Sequence, residues 1–188
     1  GKSAAVTVST TAAFAVNCDF TNSGSGTFNA TAGTVTLGGG ATNSLSHTSS
    51  GTTTFNSLTV SGGGTRTLSA TPTVNTTLLV TGNTVLSMGT GTMASDGASG
   101  TIQVDAGSTL RIGAAAGISF TGAGWVYSPA NTISGTAEFD GGTLSVGSAL
   151  PGPPGVYANL TVTGGASRAL GANAQVNLTF AVTGSSTL

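Results

Sequence analysis

Residues 55–86 of the chain recur as residues 157–188 at a constant offset of 102 with no gap, and fifteen of the thirty-two positions are identical. The copies read FNSLTVSGGGTRTLSATPTVNTTLLVTGNTVL and YANLTVTGGASRALGANAQVNLTFAVTGSSTL. What they share is Leu58/Leu160, Val60/Val162, Arg66/Arg168, Leu68/Leu170, Val74/Val176, Val80/Val182, Leu86/Leu188 and paired glycines. Apolar beads, small polar spacers and turns were kept. A catalytic site is a unique constellation, whereas duplicated spacing is how arrays build a continuous core from units that cannot bury their own faces. The first implication is therefore architectural.

Composition narrows the function classes. Charged residues make up 5% of the chain, against the roughly 25% usual in globular domains, while Ser and Thr together number 58 and Gly 31. With four Lys plus Arg, five Asp plus Glu and a net charge of −1, no basic stripe exists to follow a phosphate backbone, so nucleic acid is not an expected partner. Apolar runs are a few residues long, far short of the roughly 20 that span a bilayer as a helix. One Trp and two Tyr also disfavour a porin-like barrel with aromatic girdles. The opening GKSAAVTVST carries no continuous apolar segment or small-residue cleavage pattern, so no signal peptide is visible, as expected of a mature product or an excised fragment. Cys18 is the lone cysteine and is expected to act as a small buried hydrophobe.

Period-two alternation recurs throughout: Leu58-x-Val60, Leu78-x-Val80, Leu86-x-Met88, Ile102-x-Val104, Leu110-x-Ile112, Ile118-x-Phe120, Leu144-x-Val146, Leu160-x-Val162 and Leu178-x-Phe180. Such segments predict strands, and Gly and Asn supply turns between them. No window keeps helical spacing, so almost no helix is expected. Gly33–Gly38 also matches Gly142–Gly147 at an offset of 109, and the seven extra residues must lie in between, where GGATNSLSHTSSGTTT is replaced by SALPGPPGV. That variation predicts a surface loop over 39–54, with Pro151–Gly155 a stiff turn. Apolar beads fall at even spacing from Val60 to Val146. Three strands per coil, and coils of about 20–25 residues stacked at about 4.8 Å, would point those beads inward and Thr and Ser ladders outward. The expected fold is all-β, a parallel β-helix (β-solenoid) over residues 26–188, with residues 1–25 forming an N-terminal cap or an exchanged strand. Because 102 residues is also the size of one sandwich domain, the alternative is tandem β-sandwiches, including pilin-like subunits that exchange the strand around Ala4 to Val8.

The two repeat copies, with GTIQVDAGSTLRIG between them, resemble the Thr/Gly-rich repeats of large bacterial surface and autotransporter-type adhesins that form parallel β-helices. The resemblance covers most of residues 26–188 and is compositional. It implies an exported passenger or stalk region with a structural or adhesive role, and carries no site residues with it.

Some parallel β-helices degrade polysaccharides, which makes the five acidic residues, Asp19, Asp96, Asp105, Glu138 and Asp140, the first test for chemistry. Glu138 and Asp140 are two apart and share a side of a strand, the geometry of a carboxylate pair or a hard-cation site. Two solvent-facing carboxylates beside a turn is the expected outcome. His47, the single histidine, lies in the variable segment, so a metal cluster or a Ser-His-Asp triad would have to be built on the stretch that the second copy discards, and a solvated loop histidine is expected. Gly38-Gly39-Gly40 and Gly62-Gly63-Gly64 lack the following Lys-Ser/Thr of a phosphate loop. Arg66 and Arg168, at equivalent positions beside glycine turns, are expected to be structural hydrogen-bond donors. Arg111 is expected to face outward and meet Asp105. Asn29, Asn75, Asn159 and Asn177 each open an Asn-x-Ser/Thr triplet, a number that eleven asparagines among 58 hydroxyl residues produce by chance. Trp125 and Tyr127, in GAGWVYSP, form the one close Trp/Tyr pair and are the candidate contacts for a sugar ring.

The leading expectation is a non-enzymatic extracellular structural protein, a scaffold, stalk or filament subunit, secreted or on a bacterial cell surface. It assembles through β-strand stacking, with self-association into a filament or array as its partnership and no cofactor, metal or catalytic residue. The alternatives are a carbohydrate- or surface-binding adhesin module that engages a surface glycan through Trp125 and Tyr127, and a polysaccharide-degrading β-helix enzyme that uses Glu138 or Asp140.

Overall fold

The computed structural model describes residues 7–22, 25–39, 44–47, 51–68, 72–87, 101–112, 132–140, 145–146, 156–163, 169–170 and 175–184. Its strands are β1 (Thr7–Thr10), β2 (Phe14–Val16), β3 (Phe20–Asn22), β4 (Thr27–Ala30), β5 (Thr34–Leu37), β6 (Ser44–His47), β7 (Thr52–Val60), β8 (Gly64–Leu68) and β9 (Thr73–Val80). They continue as β10 (Thr84–Ser87), β11 (Thr101–Val104), β12 (Thr109–Ile112), β13 (Thr132–Ile133), β14 (Thr136–Asp140), β15 (Ser145–Val146), β16 (Val156–Thr163), β17 (Ala169–Leu170) and β18 (Gln175–Val182). No helix occurs among the described residues. Every strand pairing is parallel. Parallel pairing between successive coils makes this a β-solenoid and rules out tandem sandwiches, whose sheets are antiparallel.

Two eight-stranded sheets form the walls. The first runs β1-β4-β7-β9-β11-β13, with β2 and β5 joined to it through β7, and the second runs β3-β6-β8-β10-β12-β14-β16-β18. A two-stranded sheet, β15-β17, stands beside them. Stacked partners lie 20 residues apart at Leu58↔Leu78 and 29 apart at Val104↔Ile133, so coil length varies while register holds. Coils built on β4, β5 and β6 have three strands. From β7 onward the first two merge, since β7 pairs with β4 along Thr52–Thr54 and with β5 along Ser57–Val60.

The core is a set of rows running along the stack. Phe14, Val35, Leu58, Leu78 and Ile102 form one row of the first sheet, and Val16, Leu37, Val60, Val80, Val104 and Ile133 the next. In the second sheet the row is Arg66, Leu86, Leu110, Ala137, Leu160 and Phe180. Apart from half-buried Phe14 and Val16 at one end and exposed Phe180 at the other, their members are buried. β-branched and aliphatic residues fill so narrow a space without strain. Phe14, Phe20, Phe28 and Phe55 pack at one end, with ring centroids 5.1–5.8 Å apart and mostly edge to face. The intervening residues face outward as hydroxyl ladders, with Thr27 against Thr52 and Thr77 against Thr101 at 3.4 and 3.1 Å.

The 102-residue repeat is visible in the registers. β7 meets β9 through Thr54↔Thr73, Phe55↔Val74, Ser57↔Thr77, Leu58↔Leu78 and Val60↔Val80. β16 meets β18 through Val156↔Gln175, Tyr157↔Val176, Asn159↔Thr179, Leu160↔Phe180 and Val162↔Val182. Each pair is the other plus 102, including a bulge at the same place, where β9 and β18 carry one extra residue. The copies nevertheless stand in different sheets: β7 and β9 belong to the first, β16 and β18 to the second.

Two expectations about the chain path are corrected. Residues 39–54 are not simply a loop, because residues 44–47 form β6, with Leu45 in register with Phe20 and Leu68, and β7 begins at Thr52. A short strand with one apolar residue leaves little trace in a Ser- and Thr-rich segment. Leu178 is not an inward bead. The bulge shifts the alternation so that Leu178 is 76% exposed and Phe180 and Val182 continue the inward rows.

Candidate functional site: coil corners and the open edge of the stack

Arg66 lies in the inward row of the second sheet and is 1% exposed. Such a cation is tolerable only with partners, and its Nη2 donates to the carbonyl oxygens of Gly38, Gly39 and Ser61 at 2.5, 3.0 and 3.3 Å. These carbonyls belong to the turns after β5 and β7, so the guanidinium ties two successive corners together. Burial pushes its pKa down, and the carboxylate of Asp19 acts in the opposite direction; an arginine stays protonated regardless. The corners themselves require glycine. Gly39 has φ 86° and Gly62 φ 97°, and a Cβ on Gly62 would collide with the carbonyl oxygen of Gly39 in the turn below. On the next coils, hydroxyls replace arginine: Thr84 Oγ1 accepts from Gly63 N at 3.0 Å, and Ser108 Oγ accepts from Thr84 N at 3.4 Å. Arg66 is thus a structural donor, as its repeat position implies. Arg168 lies outside the described residues.

The acidic residues are drawn into the stack. Glu138 faces Arg111 across β12 and β14, with Nε and Oε1 3.0 Å apart. The Arg111 Nε does not meet hydrogen-bond geometry, so the contact is an ion pair by proximity. It replaces the expected Arg111–Asp105 contact, because Glu138 stands directly opposite Arg111 in register while Asp105 sits in the turn after β11. There Asp105 accepts from Gln103 Nε2 at 2.6 Å and Thr81 Oγ1 at 2.7 Å, and these two bonds, in that order, lower its pKa against a smaller opposing effect of burial. Glu138 is therefore not half of a free carboxylate pair; Asp140 ends the same strand. His47 ends β6, paired in register with Asn22. Cys18 is exposed and not the buried hydrophobe expected, because it follows the turn residue Asn17 and does not lie within a strand. Trp125, Tyr127 and Asp96 lie outside the described residues. Among the described residues no three His, Cys, Asp or Glu gather to hold a metal ion, and no helix is long and apolar enough to cross a membrane.

The surface that stands out is the far edge of β18. β9, its repeat equivalent, is flanked by β7 on one side and β11 on the other. β18 has β16 on one side and, among the described residues, no strand on the other. Phe180 and Val182 end their inward rows 51% and 42% exposed, and Leu178 stands beside them. At the opposite end, β1, β2 and β3 pair, among the described residues, on one edge, with β4, β5 and β6 respectively. Sequence reasoning missed these edge strands because residues 7–22 depart from the repeat pattern. The signal that marks them is the tripeptide Phe14-Ala15-Val16, repeated as Phe180-Ala181-Val182.

No protein-family model, curated protein or solved structure matches the chain.

Proposed function

We propose that the chain is a non-enzymatic structural element, a scaffold, stalk or filament segment of an exported or cell-surface protein, whose work is done by stacking coils. The observation that carries this reading is the continuity of the inward rows along parallel walls. Such rows carry no unique site and are extended simply by adding coils, which is the property of a scaffold. Natural edges are guarded by charge, proline or a covering element, and neither β2 nor β18 contains a charged residue or a proline. The few titratable groups support the same reading: Arg66 braces corners, Arg111 and Glu138 neutralise each other, and Asp105 ties a turn. The extracellular placement rests on the resemblance to Thr/Gly-rich adhesin repeats.

Electron microscopy of the purified chain, combined with sedimentation over a wide concentration range, tests the proposal. Rods of constant width whose length grows with concentration are expected. Particles that stay monomeric throughout that range would refute self-assembly.

A further inference from the structure

We propose that the outer face of the first wall adsorbs to ice, its hydroxyl rows matching the ordered water of a crystal face. This goes beyond the scaffold reading and does not depend on assembly.

The registers set the rows. Thr34, Ser57, Thr77 and Thr101 stand opposite one another on β5, β7, β9 and β11. Two residues further along the same strands stand Thr36, Thr59, Leu79 and Gln103. All are at least partly exposed, and they alternate with the buried rows of the core. A parallel stack places such residues about 4.8 Å apart between strands and about 6.6 Å apart along a strand, a two-dimensional net close to the oxygen repeats on faces of hexagonal ice. Side-chain ladders of this kind also keep a many-stranded sheet flat.

The chemistry fits a neutral lattice. No described strand of the first wall carries a charged residue, whereas the outer face of the second is interrupted by Arg111 and Glu138. Nor do these strands offer a sugar an aromatic ring to stack on, since Phe28 and Phe55 lie in the core and Phe14 packs against it. Threonine suits ice because its branched side chain is stiff at χ1, so the strand fixes where hydroxyl and methyl stand. Hydroxyl contacts of 3.1 Å between Thr77 and Thr101, and of 3.4 Å between Thr52 and Thr27, fix them further. Leu79 and Gln103 interrupt the hydroxyls of the second row, but neither brings charge. A single hydroxyl–water contact gains little over liquid water. Adsorption therefore rests on many contacts made at once by a preorganised face, to which each coil adds without a new ordering cost.

Nanolitre osmometry on the full chain reads this property as a gap between the melting point of a seed crystal and the temperature at which it grows. A gap that widens with protein concentration, with faceted crystals, is expected. Thr59→Lys puts a strongly hydrated point charge within the net and should abolish both. Thr65→Lys, at an exposed position of the second wall, should leave both intact. Circular dichroism should show the same sheet content in the two variants, and Thr36→Lys, on the neighbouring strand, repeats the test should Thr59→Lys fail to fold. Rounded crystals with no gap at any concentration would overturn the proposal. A gap lost in Thr65→Lys and kept in Thr59→Lys would overturn it by placing the ice face on the other wall. Retention on microcrystalline cellulose or chitin without a gap would overturn it in favour of a neutral polysaccharide. The scaffold reading stands or falls separately, on sedimentation.

Discussion

Replacing Arg66 with methionine isolates the value of the corner brace, because methionine fills most of the same space without charge or donors. Three carbonyls, of Gly38, Gly39 and Ser61, accept from a single Nη2. That nitrogen has two hydrogens, so no more than two full bonds are made and one hydrogen is shared. A hydrogen bond to a charged group contributes about 1.5–3 kcal/mol net, which sets a gross loss of about 3–6 kcal/mol. Two corrections reduce it. Taking the guanidinium out of water costs several kcal/mol, the same effect that pushes its pKa down, and methionine escapes that cost. The Gly39 and Ser61 bonds are only part-buried, so water can replace them, whereas the Gly38 bond is buried. A buried carbonyl left without a donor costs about 1–3 kcal/mol. The expected outcome for Arg66→Met is therefore a loss of about 1–3 kcal/mol, and for Arg66→Ala about 3–5 kcal/mol once the cavity is added. Urea unfolding followed by circular dichroism, with the slope checked for constancy across variants, measures both. A methionine variant as stable as the parent or more stable would refute the reasoning, because desolvation would then outweigh the three carbonyl bonds.

The corners make a sharper comparison between two glycines with similar backbone angles. Gly62→Ala should cost about 2–4 kcal/mol, through left-handed backbone strain and collision with the Gly39 carbonyl, whereas Gly63→Ala, whose Cβ would meet the Gly82 carbonyl oxygen at an ordinary contact distance of 4.0 Å, should cost only the strain of about 1–2 kcal/mol; equal losses would dismiss the clash. Within the rows, Leu58→Ala should cost about 2–5 kcal/mol, while Phe180→Ala, half-exposed at the row's end, should cost under about 1 kcal/mol in dissociated chains and act mainly on assembly. Both are read from unfolding midpoints. Asp105 is held below the ordinary carboxylate range by Gln103 and Thr81. Its contribution to stability is thus fully present above the unfolded value of about 3.9 and is lost as pH falls through the lower native value. Asp105→Asn should flatten the acid limb of a stability-against-pH curve below about pH 4, and superimposable limbs would exclude the effect.

Much of the fold was legible because solenoid coils repeat their own core. Leu58-x-Val60, Leu78-x-Val80 and Ile102-x-Val104 become buried pairs in successive strands of the first sheet, and Leu160-x-Val162 a buried pair in the second. Arg66 was legible as a structural donor because duplication next to glycines argues against a unique site. Legibility ended where local alternation is overruled. At Leu178 a bulge adds one residue and reverses which side chains face inward, and the pattern alone cannot reveal a bulge whose partner is another coil. Asn75 and Asn177, identical in the two copies and lying within those bulges, were the available signal. Arg111 found Glu138 and not Asp105 because its partner is set by a register 27 residues away, which sequence spacing does not encode.

The two repeat copies occupy different sheets, which says what the repeat encodes. β7–β9 and β16–β18 keep one register and one bulge, yet they stand in different walls. What the repeat specifies is therefore a pair of stacked strands and not a place in the solenoid. The chain crosses from the first wall to the second in each coil from β7 to β14, and at Gly135 the crossing is short: Ser134 and Gly135 both donate to the Val104 carbonyl and only two residues separate β13 from β14. Added side-chain bulk at Gly135 would meet the Asp105 and Ser108 carbonyls, so this corner, like those at Gly39 and Gly62, admits no side chain. Beyond it the stack resumes at once, with Ala137 and Leu160 continuing the row of Leu110. A strand pair that fits either wall of its own chain has its fit decided by register and by alternating apolar residues. Under the proposed scaffold role the same specification would serve between copies, and substitution of the inward residues Phe180 and Val182 should then abolish assembly while leaving the coils beneath intact.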